Sequence, residues 1–342
     1  MTIIFMDGFD HYEMTDLLKK WTYASYTPAY GTILGTISKE YAYLSGKGYY
    51  LSSGNTIYKT FPANYDELVV GFMFKHLSTG GNPSTQAILT FYDSTAEQCS
   101  IRSATGGKLT FNRTTTVLQT SAATLALNTW YHIEAKIKIH NSLGAFEVRV
   151  NGVSGSWLSG SGVDCAISAN NYANGVGIGS QNVSGLSSLF DDLYVLNTAS
   201  APYNTFIGAQ KIMPLFADSP GTYNEWTPNW VQNFGNINDP AVNVDTFNYS
   251  ATGSQVDTFG FQTVASGSVT GIQINITTKQ DGGVQRTIAP HMIFGGSAVS
   301  GSSINLTTDW TTKTIPFDAD PSGNPWTPDN INTTEFGYKL VA

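Results

Sequence analysis

The stretch YHIEAKIKIH, residues 131–140, decides the fold class, because apolar and polar side chains alternate along it without a break. A period of two over a run of this length is typical of a β-strand with one buried face and one face in water. Residues 141–144, NSLG, then turn the chain, and residues 146–150, FEVRV, alternate again. Asn151-Gly152 follows, the residue pair best suited to positive φ in a tight turn. The sequence therefore predicts a β-hairpin here.

Further strands are predicted along the first two hundred residues, at spacings of roughly ten residues with turn signals between them. They are Glu67–Lys75, Ala87–Tyr92, Lys108–Asn112 and Phe190–Leu196. Only Glu13–Trp21 has a helical pattern, and it is short. Regular short strands of this kind are typical of a β-sandwich or jelly roll.

The remainder of the chain is predicted to form a second β domain. Residues 197–203 are small, polar and proline-containing, which is typical of a linker, and residues 220–240 read as an extended, turn-rich region. Alternation returns in three strands, Ile272–Ile276, Ala289–Phe294 and Ile304–Trp310. Because single cores seldom grow past roughly 250–300 residues, we expect an all-β protein with domains at 1–200 and 201–342.

Composition narrows the class of protein. Charged residues make up only 12% of the chain, against a usual share of about 25%, so Ser, Thr, Asn and Gly must cover the surface. This composition suits rigid β-proteins of large assemblies better than cytosolic metabolic enzymes. The net charge of −8 disfavours binding to nucleic acid, and no apolar run is long enough for a membrane span. The first seven residues lack the pattern of a signal peptide, so we expect synthesis in a cytoplasm.

The two cysteines, Cys99 and Cys165, have no metal-ligand spacing. We expect two buried thiols, since cysteine is often fully buried. A disulfide between them stays open at the level of the sequence.

Residues 127–134, LNTWYHIE, and residues 146–152, FEVRVNG, resemble the central hairpin of laminin-G-like and concanavalin-like jelly rolls. Together with residues 5–12, FMDGFDHY, and Phe190–Val195 the resemblance covers roughly residues 1–200. It implies a concanavalin/laminin-G-like jelly-roll sandwich for this half. A fold of this kind does not specify a function.

The second half is similar to a module of tailed-phage virion proteins. The resemblance is carried by residues 257–261, DTFGF, residues 272–274, IQI, residues 325–327, PWT, and residues 335–339, EFGYK. In those proteins the module follows a jelly roll that ends in a pattern like residues 191–195, DDLYV. The resemblance implies a second, smaller β-sandwich of phage virion type at 201–342.

Catalytic patterns are missing from the sequence. Laminarinase-type glycosidases of this fold use Glu-x-Asp-x-x-Glu on one strand, and none of the eight glutamates is followed two positions later by Asp. Glu134, on the strand where the motif would lie, is followed by Ala135 and Lys136. The five histidines show no metal spacing, and for His132 and His140 we expect a solvated or sheet-packed ring. The sequence therefore predicts a protein that is not an enzyme.

An acidic cluster is predicted from the fold. The first and last strands of concanavalin-like jelly rolls commonly pair, which would bring Asp7 and Asp10 near Asp191 and Asp192. Four adjacent carboxylates repel one another unless a cation or hydrogen-bond donors neutralise them, and oxygen ligands suit Ca²⁺. Two interpretations stay open, a calcium site without any other cofactor, or side chains that cap turns and bond backbone amides.

Two aromatic stretches are candidates for glycan binding, because the C–H faces of sugars stack on aromatic rings. The first contains Tyr23, Tyr26 and Tyr30, and the second contains Trp226 and Trp230. In a chain with 13% aromatic residues, packing in the core or between subunits is the alternative for each of them.

The resemblance implies a non-enzymatic structural component of a phage particle, a tail, fibre or capsid-decoration subunit located in the virion. The alternative is a glycan-binding module of the virion that recognises the host surface. The expected partners are other virion proteins and further copies of the chain, with a trimer favoured, and a host cell-surface glycan under the alternative.

Overall fold

The computed structural model describes residues 2–24, 26–27, 32–33, 35–51, 55–77, 86–179 and 187–341. The chain divides into two compact units, Met1–Asp10 with Trp21–Ile212, and His11–Lys20 with Met213–Ala342. Both units consist largely of antiparallel strands, which confirms the all-β prediction. None of the helices in the described residues is long and apolar enough to cross a membrane.

The first unit is a β-sandwich of the jelly-roll type. Its strands, in chain order, are β1 (Ile3–Asp7), β2 (Tyr23–Ala24), β3 (Tyr26–Thr27), β4 (Thr32–Ile33), β5 (Thr36–Ser38), β6 (Gly48–Leu51), β7 (Thr56–Tyr65), β8 (Glu67–His76), β9 (Gln86–Asp93), β10 (Ala96–Ser103), β11 (Lys108–Arg113), β12 (Thr116–Thr124), β13 (Trp130–Lys138), β14 (Gly144–Val150), β15 (Ser159–Val163), β16 (Ala173–Gly179) and β17 (Ser188–Asn197). Lys39–Tyr41 and Thr105–Gly107 are 3₁₀ turns that lie between strands.

Two sheets form this sandwich. Sheet A has the order β15-β14-β13-β8-β17-β6-β5, with β1 paired to β17, and sheet B has the order β12-β11-β10-β9-β16-β7-β2. Phe111 of sheet B stacks on Phe146 of sheet A with ring centroids 4.0 Å apart. Phe72 and Phe74 of β8 are fully buried in the same core. Cys99 and Cys165 are buried free thiols, as predicted.

The predicted hairpin is confirmed. Strands β13 and β14 pair from Ile133 opposite Val150 to Lys138 opposite Ala145. Asn151 and Gly152 have φ values of 51° and 77°, the left-handed conformation that their tight turn requires.

The prediction of a wet outer face is wrong for part of β13. His132 is 4% exposed and Glu134 is 1% exposed, although both lie on the side opposite the sandwich core. Residues 206–212, which we call the strap, bond to this face: the backbone N–H groups of Ile207 and Gly208 donate to Glu134 at 2.7 and 3.2 Å. A covering segment distant in sequence leaves no trace in local periodicity.

The second unit is a smaller β-sandwich. Its strands are β18 (Ala217–Asn224), β19 (Thr227–Pro228), β20 (Asn248–Tyr249), β21 (Val256–Phe261), β22 (Ile272–Thr278), β23 (Thr287–Phe294), β24 (Ser297–Ser300), β25 (Ile304–Asn305), β26 (Thr311–Phe317) and β27 (Glu335–Leu340). The main sheet has the order β18-β21-β27-β23-β24, with β25 paired to β23, and β22 pairs with β26 separately. Trp326 and Phe336 lie in the core, with Ile272 of β22 and Phe317 of β26 packed against it.

The helical segments are short. The 3₁₀ turn Met14–Asp16 continues into α1 (Leu17–Lys20), in agreement with the helical pattern at Glu13–Trp21, and both belong to the second unit. Helix α2 (Pro328–Asn332) is capped by Thr327, and Phe234–Asn236 is a further 3₁₀ turn.

One predicted strand is wrong in extent. The alternation predicts one continuous strand over Ile304–Trp310, but β25 ends at Asn305. The Thr307 hydroxyl donates to the carbonyl of Asp309 at 2.9 Å, and such local side-chain bonds favour a turn over a strand.

The strap, Lys211 included, clusters with the first unit, although residue 200 was the predicted boundary. The division into domains at 1–200 and 201–342 stays a prediction.

Candidate functional site

The four predicted acidic residues, Asp7, Asp10, Asp191 and Asp192, do come together. Strand β1 runs antiparallel to β17 with Asp7 opposite Leu193, as the pairing of first and last strands predicts. All four side chains are buried, with exposures of 0% for Asp7 and Asp191, 1% for Asp192 and 8% for Asp10. We call these four residues the acidic cluster.

Backbone and indole N–H groups satisfy much of the acidic cluster. Asp7 accepts from the Trp21 indole at 2.7 Å and from the Phe9 amide at 2.9 Å. Asp10 accepts from the amide of Lys47, and Asp191 accepts from the amide of Tyr43 at 2.8 Å. Hydrogen bonds to charged acceptors are stronger than neutral ones, so these bonds hold residues 43–47 against the sheet.

The cation at the acidic cluster is Lys211 of the strap. Its Nζ lies 3.2 Å from Asp192 Oδ1 and 3.7 Å from Asp191 Oδ2, and it donates to the carbonyl of Ser45 at 3.0 Å. A β-bulge follows Asp191, and Asp192 has φ 51°. This break in the alternation lets consecutive carboxylates reach one ammonium group.

Burial governs the charge of this cluster. It raises the pKa of Asp10 to about 6 and, with the charge of Asp192, that of Asp191 to about 7. Burial alone would lower the pKa of Lys211, but the charges of Asp192 and Asp191 raise it above its usual value. The described residues contain no group of three or more His, Cys, Asp or Glu side chains placed to hold a metal ion. The contacts match the interpretation as backbone-bonding side chains, and the calcium site stays a prediction.

A second buried polar network lies beneath the strap. The Tyr194 hydroxyl lies 2.7 Å from Glu134 Oε1, 2.8 Å from the carbonyl of Gly208 and 3.4 Å from His132 Nε2. Burial lowers the pKa of His132 to about 4, so its ring is neutral at pH 7 and packed in the sheet. Gly71 lies opposite Tyr194, and the close approach of the tyrosine ring leaves no room there for a side chain.

The other half of this outer face carries aromatic rings. Cross-strand pairing places Trp130 of β13 beside Lys75 of β8, then Leu189 of β17, then Tyr50 of β6. Residues directly opposite each other in antiparallel strands share a face, so all four side chains lie on the side of Glu134. Trp130, Lys75 and Tyr50 are half-buried, while Leu189 is buried.

Two tyrosines from the segment after β5 complete this surface. Tyr43 meets Trp130 edge to face with ring centroids 5.6 Å apart, and Tyr41 stacks on Tyr50 at 5.2 Å. The Lys75 ammonium lies 6.0 Å from the centre of the Trp130 ring. Tyr41, Tyr43, Tyr50, Lys75 and Trp130 are called the aromatic face below.

The acidic cluster positions the aromatic face. The amide of Tyr43 is the group that Asp191 binds, and Lys47 and Ser45 of the same segment bond to Asp10 and Lys211. Gly46 has φ 86° and sits against Asp10, where a side chain would collide with the carboxylate. The acidic cluster and the aromatic face are therefore one structural arrangement.

Among the predicted glycan-binding tyrosines, only Tyr23 has a described side chain. It stacks on Tyr58 at 4.9 Å, and Tyr58 contacts Tyr92 at 5.2 Å. These rings cover the outer face of β16, where Gly177 has space for no side chain between Tyr58 and Tyr92. Tyr26 contributes its backbone to β3, its side chain is not described, and Tyr30 lies outside the described residues.

The two tryptophans differ. Trp226 donates its indole N–H to the carbonyl of Gln255 at 3.1 Å and packs edge to face against Tyr338, so its ring helps to build the second unit. Trp230 is 75% exposed and is followed by Val231, which is 67% exposed.

The strings that resemble the virion module lie at the centre of the second unit. Strands β21 and β27, which hold DTFGF and EFGYK, pair with Asp257 opposite Tyr338. Asp257 is 0% exposed and accepts from the amides of Glu225 and Trp226 and from the Asn233 side chain, at 2.8, 2.9 and 2.6 Å. Glu335 accepts from the Thr258 hydroxyl at 2.6 Å. These residues serve the architecture of the unit.

Sequence reasoning missed the aromatic face. Trp130 falls in step with His132 and Glu134, so the period of two already placed it on the outer side of β13. Its neighbours on β8 and β6 follow only from the order of strands in sheet A, which the sequence does not reveal.

No family model and no curated protein sequence matches the chain. Among solved structures it is similar to the cellulose-induced protein Cip1, at 15% identity over 60% of this chain and 100% of that one, with a TM-score of 0.42. A GH131 β-glucanase catalytic domain from Podospora anserina matches at 13% identity over 57% and 96% of the two chains, with a TM-score of 0.40. A sialidase matches at 13% identity over 49% of this chain and 16% of its own, with a TM-score of 0.36. At these identities the likeness concerns the type of fold alone.

Proposed function

We propose that the chain is a non-enzymatic structural protein of a tailed-phage particle, and that its jelly roll binds a glycan through the aromatic face. The observation that carries the binding role is the row of half-buried aromatic rings on an outer sheet face, next to a polar network that fixes their positions. The virion setting rests on the resemblance of the two halves to virion proteins.

Sugar recognition suits this surface. Aromatic side chains offer a large, rigid contact area, and Trp and Tyr combine an apolar body with a polar edge. Tyr43 meets Trp130 edge to face, so their contact covers a face of only one of the two rings. The backbone of Tyr43 is held by Asp191, which lowers the entropy lost when a ligand binds.

The carboxylates on this side of sheet A support a role without catalysis. Glycoside hydrolysis needs two carboxyl groups that face a sugar across a gap of about 5 to 10 Å. Glu134, Asp191 and Asp192 are each at most 1% exposed, and each bonds to backbone amides. These three carboxylates are therefore not open to a substrate.

Assembly would use other surfaces. The charged fraction of 12% leaves weakly charged faces, and interfaces are depleted in Lys, Glu and Asp and enriched in aromatic residues. Trp230 and Val231 add exposed apolar area on the second unit. The partners proposed are other virion proteins and further copies of this chain, with three as the favoured number.

A glycan array with the purified protein tests the binding role. We expect selective binding by the wild type, loss of at least tenfold in affinity for Trp130→Ala, and retention for Tyr58→Ala, a matched change on the outer face of sheet B. A blank array would contradict the glycan-binding role and leave a purely structural subunit. Equal losses in both variants would place the binding site elsewhere. Release of reducing sugar from the bound glycan would show that the protein is an enzyme.

A further inference from the structure

Lys75 is an unusual cation for its position. It lies half-buried in the middle of sheet A, beside Trp130 and opposite Leu189, and its ammonium group sits 6.0 Å from the centre of the Trp130 ring. Within the described residues no carboxylate lies within ion-pair distance of it. Two other lysines on this side of the sheet are paired, Lys136 with Glu67 at 3.1 Å and Lys211 with the acidic cluster.

Lys75 is half-buried as a residue, and among the residues described its ammonium group is a charge without an anionic partner beside an aromatic ring. A pairing anion stabilises a charge in such a position. A cation–π contact with Trp contributes only about 0.5–2 kcal/mol, and its geometry here is at the outer limit of about 6 Å. The chain has a net charge of −8, so a positive charge among aromatic rings stands out. Such a charge favours binding of an anionic ligand group at this surface.

We infer that the aromatic face binds an acidic sugar, a uronic acid or sialic acid unit, whose ring packs on the Trp130–Tyr43 pair and whose carboxylate meets the Lys75 ammonium. This inference rests on the proposed function and names the ligand class of the same site. Charge complementarity supports it: the nearby carboxylates Asp191 and Asp192 are buried and already share Lys211. A neutral sugar would leave the Lys75 charge without a partner.

The test compares acidic oligosaccharides with their own methyl esters, which keep the sugar ring and remove the charge. The probes are hexamers of galacturonate, mannuronate and guluronate, and a sialic acid oligomer, each in both forms, titrated against the full chain by calorimetry. We expect at least one acid to bind at least tenfold more tightly than its ester. The preference should shrink as salt rises from about 50 to 500 mM, because screening weakens an exposed ion pair.

The variant Lys75→Met should reduce the ratio of acid to ester affinity at least tenfold, and Lys75→Arg should restore most of it. Lys138→Met is the matched control, since Lys138 lies on the same side of β13 at its far end. Thermal melts establish that each variant is folded. Equal affinities for acid and ester, or an unchanged ratio in Lys75→Met, would overturn the acidic-sugar inference while sugar binding itself stands. Absence of binding to every acidic and neutral probe, and to the glycan array, would overturn the proposed function instead.

Discussion

At the scale of single residues, the acidic cluster lies where the sequence predicts, and its contacts are with backbone amides and a lysine. Asp7, Asp10, Asp191 and Asp192 meet where the pairing of β1 with β17 predicts. Amides of the segment that carries Tyr43 donate hydrogen bonds to the cluster, and the ammonium of Lys211 provides counter-charge. The cluster thus acts as an anchor for two segments, the strap and the tyrosine-bearing loop.

Lys211→Met tests this anchoring role. The variant keeps the length of the side chain and removes the charge, so the carboxylates lose their cation and must bind protons or repel. Breaking a buried pair costs several kcal/mol, and because Lys211 is 23% exposed we expect a loss of about 2 kcal/mol in the free energy of unfolding. Urea denaturation at pH 7.5 measures it, with the exposed Lys39→Met as control. A change below about 0.5 kcal/mol would show that the cluster is already neutral without Lys211.

His132 makes a prediction about pH. Its pKa is about 4 in the folded chain, because burial favours the neutral ring, against about 6.5 when unfolded. The unfolded state therefore binds the proton more readily, and this group's stabilising contribution is complete above pH 6.5 and is lost as pH falls towards 4. A shift of this size corresponds to at most about 3 kcal/mol.

Wild type and His132→Gln should be compared across pH 4 to 8. Asp10 and Asp191 act in the opposite sense, since their raised pKa values favour the folded state as pH falls, so only the difference between the two proteins is informative. We expect the wild type to lose stability relative to His132→Gln below pH 6.5. Parallel profiles would mean that the ring is not held neutral.

At the scale of elements, the strap buries part of the polar face of β13. The strand alternates as a half-exposed strand should, yet Glu134 bonds to the amides of Ile207 and Gly208 and is buried. Phe206 of the strap packs under Arg149 of β14, whose guanidinium lies 3.8 Å from the ring centre. The strap therefore covers one half of the outer face and leaves the aromatic face in the other half.

Two fragments test the contribution of the strap. Residues 1–200 end before it, whereas residues 1–212 retain Lys211 and the amides that bond to Glu134. Both fragments lack the second unit, so residues 11–20 lose their partners equally in both. We expect the longer fragment to melt at least 5 °C higher, and calorimetry measures the difference. Equal melting temperatures would show that the strap does not stabilise the first unit. A missing transition in both fragments would show that the first unit does not fold alone.

At the scale of the whole molecule, the low density of charge is the feature that demands an explanation. A soluble monomer usually carries about 25–35% charged residues on its surface, and this chain has 12% in all. Closed cyclic symmetry is the usual outcome when identical subunits meet, and three copies is the number favoured under the proposed virion role.

Analytical ultracentrifugation at micromolar concentration tests the oligomer. We expect a single species with the mass of three chains, each of 36.9 kDa, that persists in 0.5 M salt because weakly charged faces gain little from ion pairs. The variant Trp230→Ser, at the most exposed tryptophan of the second unit, tests whether that surface takes part in self-association. A sharp monomer under all conditions would contradict self-assembly.

The sequence by itself determined the all-β class, the central hairpin and the meeting of the four aspartates. The first two follow from short-range rules, alternation along a strand and turn-forming residues at 141–144, whereas the meeting of the aspartates follows from the jelly-roll resemblance, which implies that the first and last strands pair. The aromatic rings of Trp130, Tyr50 and Tyr43 come together only in the tertiary structure, as does the burial of Glu134 beneath the strap. These contacts join segments some 70 to 90 residues apart, and nothing in local periodicity encodes which strands lie side by side or which segment crosses a face. The tertiary structure therefore decided which aromatic rings share one surface, while the sequence had already determined the framework that carries them.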